Sequence, residues 1–342
     1  MNSIRLSICI PTYNFGAFIG ETLDHIVTQC NRDVEIVVLD SGSSDRTPEV
    51  VQSRAAACAG LKYHRLERRG GIDRDMDRVA SLGQGEYCWL FSADDIMRPG
   101  SVGRVLQEIR SGMDIYLCGL MLCTFDMRPI APHRILSVAT DAEFDLSDPE
   151  GRRRYFTAAE TTTAFFSFMS SLIVKRERWS EVGLDEAYVG SCWAHVVRIF
   201  RLIPRGLRVK YFAQPLLDKR TGNDSFMGSG LVRRIALAVD GFHRIANDLF
   251  GPDSIEAFHI RRVIANEYSL RPLLDAKLDC RGRGLVEDEK ILDGLARKVC
   301  SNPGVRSLFS LIAYRYMPLG VYGSTRSLYR SVRKRLVDRL FK

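Results

Sequence analysis

No stretch of about eighteen uncharged apolar residues occurs in the chain, so a membrane-spanning helix is not expected. Of the two nearest approaches, Met113–Cys123 is too short and Ser307–Gly320 is interrupted by Arg315. Paired cysteines are missing as well. The nine present are odd in number, scattered, and without a C-x-x-C spacing, which removes the usual grounds for a disulfide framework or a zinc site. Most lie inside apolar runs, where a free thiol behaves as a small hydrophobe, and that usage fits a reducing compartment. Repeats and low-complexity tracts are absent. Only Arg5 supplies charge ahead of a strand-like segment that opens at Leu6, which leaves no room for a signal peptide; a cytoplasmic location is expected.

What is present is an ordinary globular composition. The 342 residues are 46% hydrophobic and 26% charged, which argues against general disorder and suits one unit of roughly 200–250 residues plus an appendage. A net charge of +8 suits an anionic partner: nucleic acid, a phosphorylated ligand or an acidic membrane surface.

From Leu6 to Leu122, LSICI, VEIVVLD, LKYHRL, EYCWLF and DIYLCGLMLC read as strands. Between them Phe18, Ile19, Leu23, Ile26 and Val27, then Ile72, Met76, Val79 and Leu82, recur at helical spacing,. The alternation predicts an α/β fold with a doubly wound, mainly parallel sheet. Ligands of such sheets bind at the carboxyl ends of the strands, so the residues after each strand matter most. They are Pro11-Thr12-Tyr13-Asn14, Asp40-Ser41-Gly42-Ser43-Ser44-Asp45, Arg68-Arg69-Gly70-Gly71-Ile72-Asp73-Arg74-Asp75 and Ser92-Ala93-Asp94-Asp95. Residues 124–226 are less regular, with strand candidates SSLIVK, RVKYF and PLLDK and the segment GSCWAHVVRIFRL. From Leu231 onward the chain reads as amphipathic helices, and a boundary is placed near Phe226.

Adjacent carboxylates just past a buried strand repel each other and lose hydration unless a cation or a sugar hydroxyl compensates. Asp94-Asp95 therefore points to Mg²⁺ or Mn²⁺, which share one or two protein carboxylates with substrate phosphates. The alternative is a helix start near Pro99 capped by the pair. Asp40 ends the second strand, where a carboxylate can accept from the edge of a nucleoside. Asp45 reads as structural within its turn. Arg74 opens a helix whose N–H groups favour anions and is placed for a diphosphate. Against that stands a solvated face of Arg68, Arg69, Arg74 and Arg78 paired with Asp73, Asp75 and Asp77.

The order strand–PTYN, strand–DSGSSDRT, Gly71 with a helix, strand–SADD and then RPG resembles the family 2 glycosyltransferases of the GT-A fold over about residues 4–105. Four ordered elements make the match specific. GIDRDMDRV, EYCWLFSADD, GSCWAHVVRIF and RTGNDSF further resemble the abequosyltransferase-like branch, which uses CDP-activated dideoxyhexoses in bacterial O-antigen synthesis. The resemblance implies a donor half over about 1–123, an acceptor half over about 124–226 and a helical C-terminal region over 227–342. It implies nucleoside contacts from Pro11, Thr12, Tyr13 and Asp40, a ribose-side carboxylate at Asp94, and a divalent metal on Asp95 that neutralises the diphosphate leaving group.

Two departures stand out. The leading Asp of the family's D-x-D-D form is Ser92, and the Glu-Asp pair that supplies the base in inverting members is replaced by Gly190-Ser191-Cys192-Trp193-Ala194-His195. Base candidates are then His195, Asp185 and Glu186, of which His195 has the intrinsic pKa nearest neutrality; a buried structural histidine is the bland alternative. Trp193 either stacks on an acceptor sugar or packs in the core. Arg220, Asn223 and Asp224 lie in a Gly-bearing loop where the resemblance to GT-A enzymes implies a lid over donor phosphates; a solvated surface turn is the alternative.

The segment Arg326–Lys342 alternates basic residues with Leu328, Val332, Leu336 and Leu340, a pattern that suits an anionic membrane surface bearing lipid-linked acceptors. A nucleic-acid partner is not expected, because no reader motif accompanies the charge. The expected partners are a nucleotide-diphosphate sugar, a lipid-linked glycan and the membrane surface.

Overall fold

In a computed structural model, residues 4–302 and 304–326 are described; the basic segment after residue 326 lies outside them. Ten strands form one sheet: β1 (Leu6–Thr12), β2 (Val34–Asp40), β3 (Leu61–Arg65), β4 (Tyr87–Leu90), β5 (Ile96–Met97), β6 (Ile115–Cys123), β7 (Pro129–Pro132), β8 (Ala142–Asp145), β9 (Leu172–Lys175) and β10 (Arg208–Arg220). The order is β3-β2-β1-β4-β9-β6-β10-β5, with β7 on β6 and β8 on β10. β1 pairs in parallel with β2 and β4, β2 with β3, and β6 with β10. Inside the sheet β9 opposes both its neighbours, β4 and β6.

That topology decides where the site lies. β1, β2, β3, β4, β6 and β10 all finish at one rim, while β9, running the other way, starts there. The rim therefore collects the residues after β1, β2 and β4, the end of β10, and the turn Met169–Ser171 that leads into β9. β1 and β2 are buried along their whole length, as expected for strands covered on both faces.

RVKYF and PLLDK, read from sequence as separate strands, are one strand. Pro215 lacks an N–H for the ladder, and the register against β6 shifts on either side of it, so the apparent break is a bulge within β10. The short strands β5, β7 and β8 carry no pattern strong enough to read in advance. The helix Ile72–Leu82 buries Met76 and Val79 as its spacing predicts and leaves Ile72 and Leu82 half-buried, but it also buries Ala80, Asp73 and Asp75. No side chain caps the helix Ser101–Glu108, which is entered through Gly100 at φ 82°; Asp94 and Asp95 are therefore not its caps.

The described residues divide into two compact units. One runs to Asp224 and regains Asp248–His259; the other takes Ser225–Asn247 and the chain from Ile260. Where the sequence reading draws a single division near 226, the chain passes between units three times. The second unit is helical, with helices Leu231–Ile245, Leu270–Arg283, Val286–Val299 and Val305–Tyr316. Among the described residues no helix is long and apolar enough to cross a membrane.

Gly119 on β6 faces the β10 bulge. A Cβ there would lie 2.7 Å from the Phe212 carbonyl oxygen and 2.8 Å from that of Ala213. Gly119→Ala is expected to cost about 1–3 kcal/mol, the usual range for overpacking a fixed backbone, read as a lower urea midpoint with an unchanged m-value. An unchanged midpoint would mean that the bulge is not rigid.

Candidate active site

The loops after β1 and β2 are tied into one platform. Asn14, held at φ 57°, donates its N–H to Ser43 Oγ and accepts from the Ser44 N–H through Oδ1. Asp45 accepts from the N–H groups of Gly16 and Thr47 and from the Thr47 hydroxyl, which is the structural role read for it. Asp40 is fully buried; its Oδ1 accepts from the Ser43 N–H at 2.8 Å and its Oδ2 from the Tyr63 hydroxyl at 2.7 Å. Its oxygens thus fix the β2 turn, beside Pro11 and Thr12 at the end of β1. Thr12 is buried with its hydroxyl unpartnered, and the half-buried Tyr13 carries the Arg69 guanidinium 4.4 Å over its ring.

Asp75 lies at this end of the rim, 5% exposed; its carboxyl meets the Ser41 side chain, while its Oδ1, against Gly70, has no hydrogen-bond partner. Burial pushes its carboxyl above the ordinary value. Sequence reasoning placed Asp75 on a solvated face. What it missed is that Gly70 and Gly71 bring the helix start against Ser41, whose Oγ accepts from the Gly70 N–H.

Asp94 and Asp95 form the other half of the platform and are 7% and 2% exposed. Asp94 accepts from the Ser92 hydroxyl at 2.5 Å and from Asn223 Nδ2 at 2.8 Å. Asp95 accepts from the Ser170 hydroxyl at 2.6 Å and from the Arg220 N–H at 3.2 Å. Ser170 reaches it because β9 runs against β4, and Trp89 Nε1 fixes that turn by donating to the Ser170 carbonyl at 2.8 Å. Burial, then the charge of Asp94, pushes Asp95 up to about 7. A carboxyl so raised by desolvation and a like charge is the response expected of a pair that lacks a full positive counterpart.

Arg220 ends β10 beneath the pair. Its Nε donates to the Asp94 carbonyl at 3.1 Å, one terminal nitrogen to the Phe125 carbonyl and the other to Glu21 at 2.6 Å. The rings of Phe18 and Phe125 lie 5.2 and 5.9 Å from the guanidinium. These bonds commit Arg220 to the architecture of the rim.

The three base candidates have different surroundings. Asp185 accepts from Arg201 at 2.5 Å and from the Ala187 N–H. Glu186 is paired with Arg74 at 2.6 Å on an exposed surface, so the two side chains, one read for the base and one for the diphosphate, hold each other. His195 is 4% exposed; its Nε2 lies 3.0 Å from the Phe166 carbonyl, to which it donates, and Nδ1 has no partner. Burial lowers its pKa to about 4, so the ring is neutral through physiological pH. Asp73 accepts from the N–H groups of Gly190, Cys192 and Ala194 and shapes the segment leading to His195. Trp193, 8% exposed, lies in the core.

A separate cleft of about 470 Å³ is lined by Arg98, Gly100, Arg104, Gln214 and Asp218, without Asp94 or Asp95. The Arg98–Asp218 pair at 2.6 Å spans part of its wall.

Residues 7–175 match the sequence profile described as Glycosyl transferase family 2. The abequosyltransferase RfbV of Salmonella typhimurium is 33% identical over 250 residues, covering 72% of this chain and 75% of the relative. A GalNAc(5)-diNAcBac-PP-undecaprenol beta-1,3-glucosyltransferase of Campylobacter jejuni is 24% identical over 178 residues, 52% of this chain and 55% of that one. Among solved structures, S. aureus TarS in complex with UDP-GlcNAc superposes with a TM-score of 0.59 at 17% identity, covering 96% of this chain and 92% of the other. The mannosyltransferase PcManGT of Pyrobaculum calidifontis, in complex with GDP-Man and Mn²⁺, gives 0.52 at 17% identity, covering 99% and 88%. The α/β architecture is the GT-A fold.

Burying Asp95 has a consequence for stability. Its folded pKa of about 7 exceeds the value near 4 of an unfolded aspartate, so the native state holds the proton more tightly. Stability of the ligand-free protein from this group is then greatest below about pH 4 and is lost as pH rises to about 7, at up to about 1.4 kcal/mol per unit. Asp95→Asn is expected to flatten that limb and to raise Tm at about pH 8 relative to wild type, as polar groups kept for function often cost stability. Equal pH dependence in both proteins would place the raised pKa elsewhere. For Arg220→Lys, one ammonium cannot serve the three acceptors that a planar fork reaches, and a loss of about 1–3 kcal/mol is expected by chemical denaturation.

Proposed function

Because the chain belongs to glycosyltransferase family 2 and is a hexosyltransferase, we propose that it moves a sugar from a nucleotide-diphosphate donor, best matched by CDP-abequose or a related CDP-dideoxyhexose, to a lipid-linked O-antigen or surface-polysaccharide acceptor. A catalytic domain over 1–226, with donor and acceptor halves meeting near residue 123, and a helical region over 227–342 belong to the same reading. The work is placed on the inner face of the cytoplasmic membrane.

The observation that carries the proposal is the buried Asp94-Asp95 pair at the sheet rim. Its chemistry fits a hard divalent cation: two carboxylates, one of them raised to about 7, lie in a site too dry to hold both charges unaided. Among the described residues no group of three or more His, Cys, Asp or Glu is arranged to hold a metal. Asp95 is read as the anchor for Mn²⁺ or Mg²⁺, ions that need only one or two protein carboxylates and complete their shell with phosphate oxygens and water. Such an ion supplies neutralisation of the departing diphosphate.

This chain's residues provide the rest. Pro11, Thr12 and Tyr13 at the end of β1 line the nucleoside, with Asp40 holding the β2 turn and the Thr12 hydroxyl free to meet it. Asp94 takes the ribose side; Ser92 and Asn223 hold its carboxylate in place and Arg220 holds its backbone carbonyl. Arg74 would have to leave Glu186 to reach the diphosphate. For the base, Asp185 and Glu186 are each bound to an arginine, whereas His195 keeps a free Nδ1; burial makes its ring a weaker base than the sequence reading assumed, and it is still the group proposed to take the acceptor's proton.

The cytidine preference draws on Asp75 as well as on likeness to the Salmonella relative. A buried carboxylate oxygen without a donor, beside the nucleoside end of the rim, suits an exocyclic amino group such as that of cytosine. A UDP- or GDP-hexose donor is the second reading. Calorimetry with CDP, UDP and GDP in the presence of Mn²⁺ separates them: CDP binds tightest, and Asp75→Asn weakens CDP by roughly tenfold, the scale of one hydrogen bond to a charged group, while sparing UDP. Failure of all three nucleotides would end the donor assignment.

Donor turnover is expected to require Mn²⁺ or Mg²⁺ and to vanish in Asp95→Ala; nucleotide binding without turnover in the wild type would instead mark an inactive binding module. His195→Gln is expected to lower kcat by roughly 10²-fold or more, the usual contribution of a positioned base, with donor affinity unchanged. An unaltered kcat would make the histidine structural.

A further inference from the structure

The helix Val305–Tyr316 is amphipathic with its apolar face turned outward. Tyr314 is 3% exposed, its hydroxyl donating to Asp293 at 2.7 Å and its backbone carbonyl accepting from Lys277 at 3.1 Å. On the opposite side, spaced at three and four residues, Val305, Leu308, Phe309, Ile312 and Tyr316 are 49–85% exposed. At 3.6 residues per turn these five positions fall within about 100° of arc centred opposite Tyr314. Ser307 and Ser310 are only half-exposed, on the flanks nearer the packed side. An isolated surface leucine needs no explanation, but a contiguous outward stripe of Leu, Phe, Ile and Tyr marks a contact surface.

The charge of the chain shows what that surface meets. From Val305 to the end there are nine Lys or Arg and a single acidic residue, Asp338, against totals of 49 and 41 in the protein. The first 304 residues are thus electrically balanced, and the whole excess of +8 belongs to the last 38. Arg315 is exposed at the edge of the stripe. An apolar stripe in a stretch of chain with a strong cationic excess is the combination that seats a helix in the headgroup region of an anionic bilayer: apolar side chains enter the acyl boundary and basic ones stay with lipid phosphates. A second protein copy would bring the same positive excess to the contact and repel it.

We propose that the outward face of Val305–Tyr316 is the membrane-binding element of this protein, seated in an anionic lipid surface through Leu308, Phe309 and Ile312. The sequence reading gave that task to Arg326–Lys342; here those residues add charge and the preceding helix supplies the apolar insertion. The assignment rests on the transferase reading only for its purpose, that of reaching a lipid-linked acceptor.

The full chain is to be sedimented with phosphatidylcholine vesicles with and without phosphatidylglycerol. Wild type is expected to bind the anionic vesicles and to leave them in high salt. Leu308→Glu/Phe309→Glu, at positions exposed in the fold, is expected to lose binding by roughly tenfold or more while keeping Tm and donor hydrolysis in solution. Retained hydrolysis separates failure of the anchor from failure of the transferase reading. The proposal is overturned if wild type stays in the supernatant, if the double variant binds as wild type does, or if ultracentrifugation shows a dimer that the double variant dissolves with vesicle binding untouched. It is also overturned if truncation after Arg326 strengthens binding, which would mean that the chain's own end covers the stripe.

Discussion

Two carboxylates side by side where water hardly reaches are the constraint around which the rest of the rim is organised. Asp95, 2% exposed next to Asp94, feels the charge of Lys219 but is not neutralised by Arg220, which offers it a backbone N–H and turns its guanidinium to the Asp94 carbonyl, Phe125 and Glu21. Hydrogen bonds from Ser170, Ser92 and Asn223 hold the pair in place without discharging it. On the proposed reading, such a site takes up a divalent ion together with the donor's diphosphate.

The reversed strand β9 makes this arrangement possible. Were the sheet parallel throughout, the residue beside the end of β4 would come from another strand's exit. Because β9 enters at the rim, Ser170 arrives at Asp95 from the turn before the strand, and Trp89 fixes that turn through its indole N–H. Across the site, the β2 turn is closed by Asp40 and Tyr63, and Asp73 gathers three N–H groups of the segment leading to His195. Both carboxylates shape the backbone that a ligand would meet.

Much of this could be read from residue order because strands covered on both faces are written as apolar runs, and a parallel sheet sends the residues after them to one edge. The platform of Pro11–Asn14, Asp40–Asp45 and Asp94-Asp95 was visible for that reason. Partners were not visible. Nothing near Arg74 in sequence announces Glu186, and nothing near Asp95 announces Ser170, since both depend on where a distant turn returns to the rim. The burial of Asp73 and Asp75 was hidden by surrounding arginines, which gave that helix the look of a solvated face. The break at Pro215 misled in the opposite sense, because a bulge and a loop share the same residues. The outward stripe at 305–316 shows in the residue order only as an apolar stretch broken by Arg315, and which of its side chains face solvent is decided by what packs against Tyr314.

On the proposed reading Asp95, raised to about 7 by burial and by Asp94, holds its proton below neutrality until the donor's diphosphate arrives with its metal. Calorimetric titration of CDP and Mn²⁺ in buffers of different ionisation enthalpy measures the protons exchanged on binding. At about pH 6 wild type is expected to release about one proton more than Asp95→Asn, which sheds only the proton of the nucleotide's own terminal phosphate, and the difference is expected to vanish by about pH 8.5. Binding at about pH 6 with no proton released, or the same release from Asp95→Asn, would contradict it.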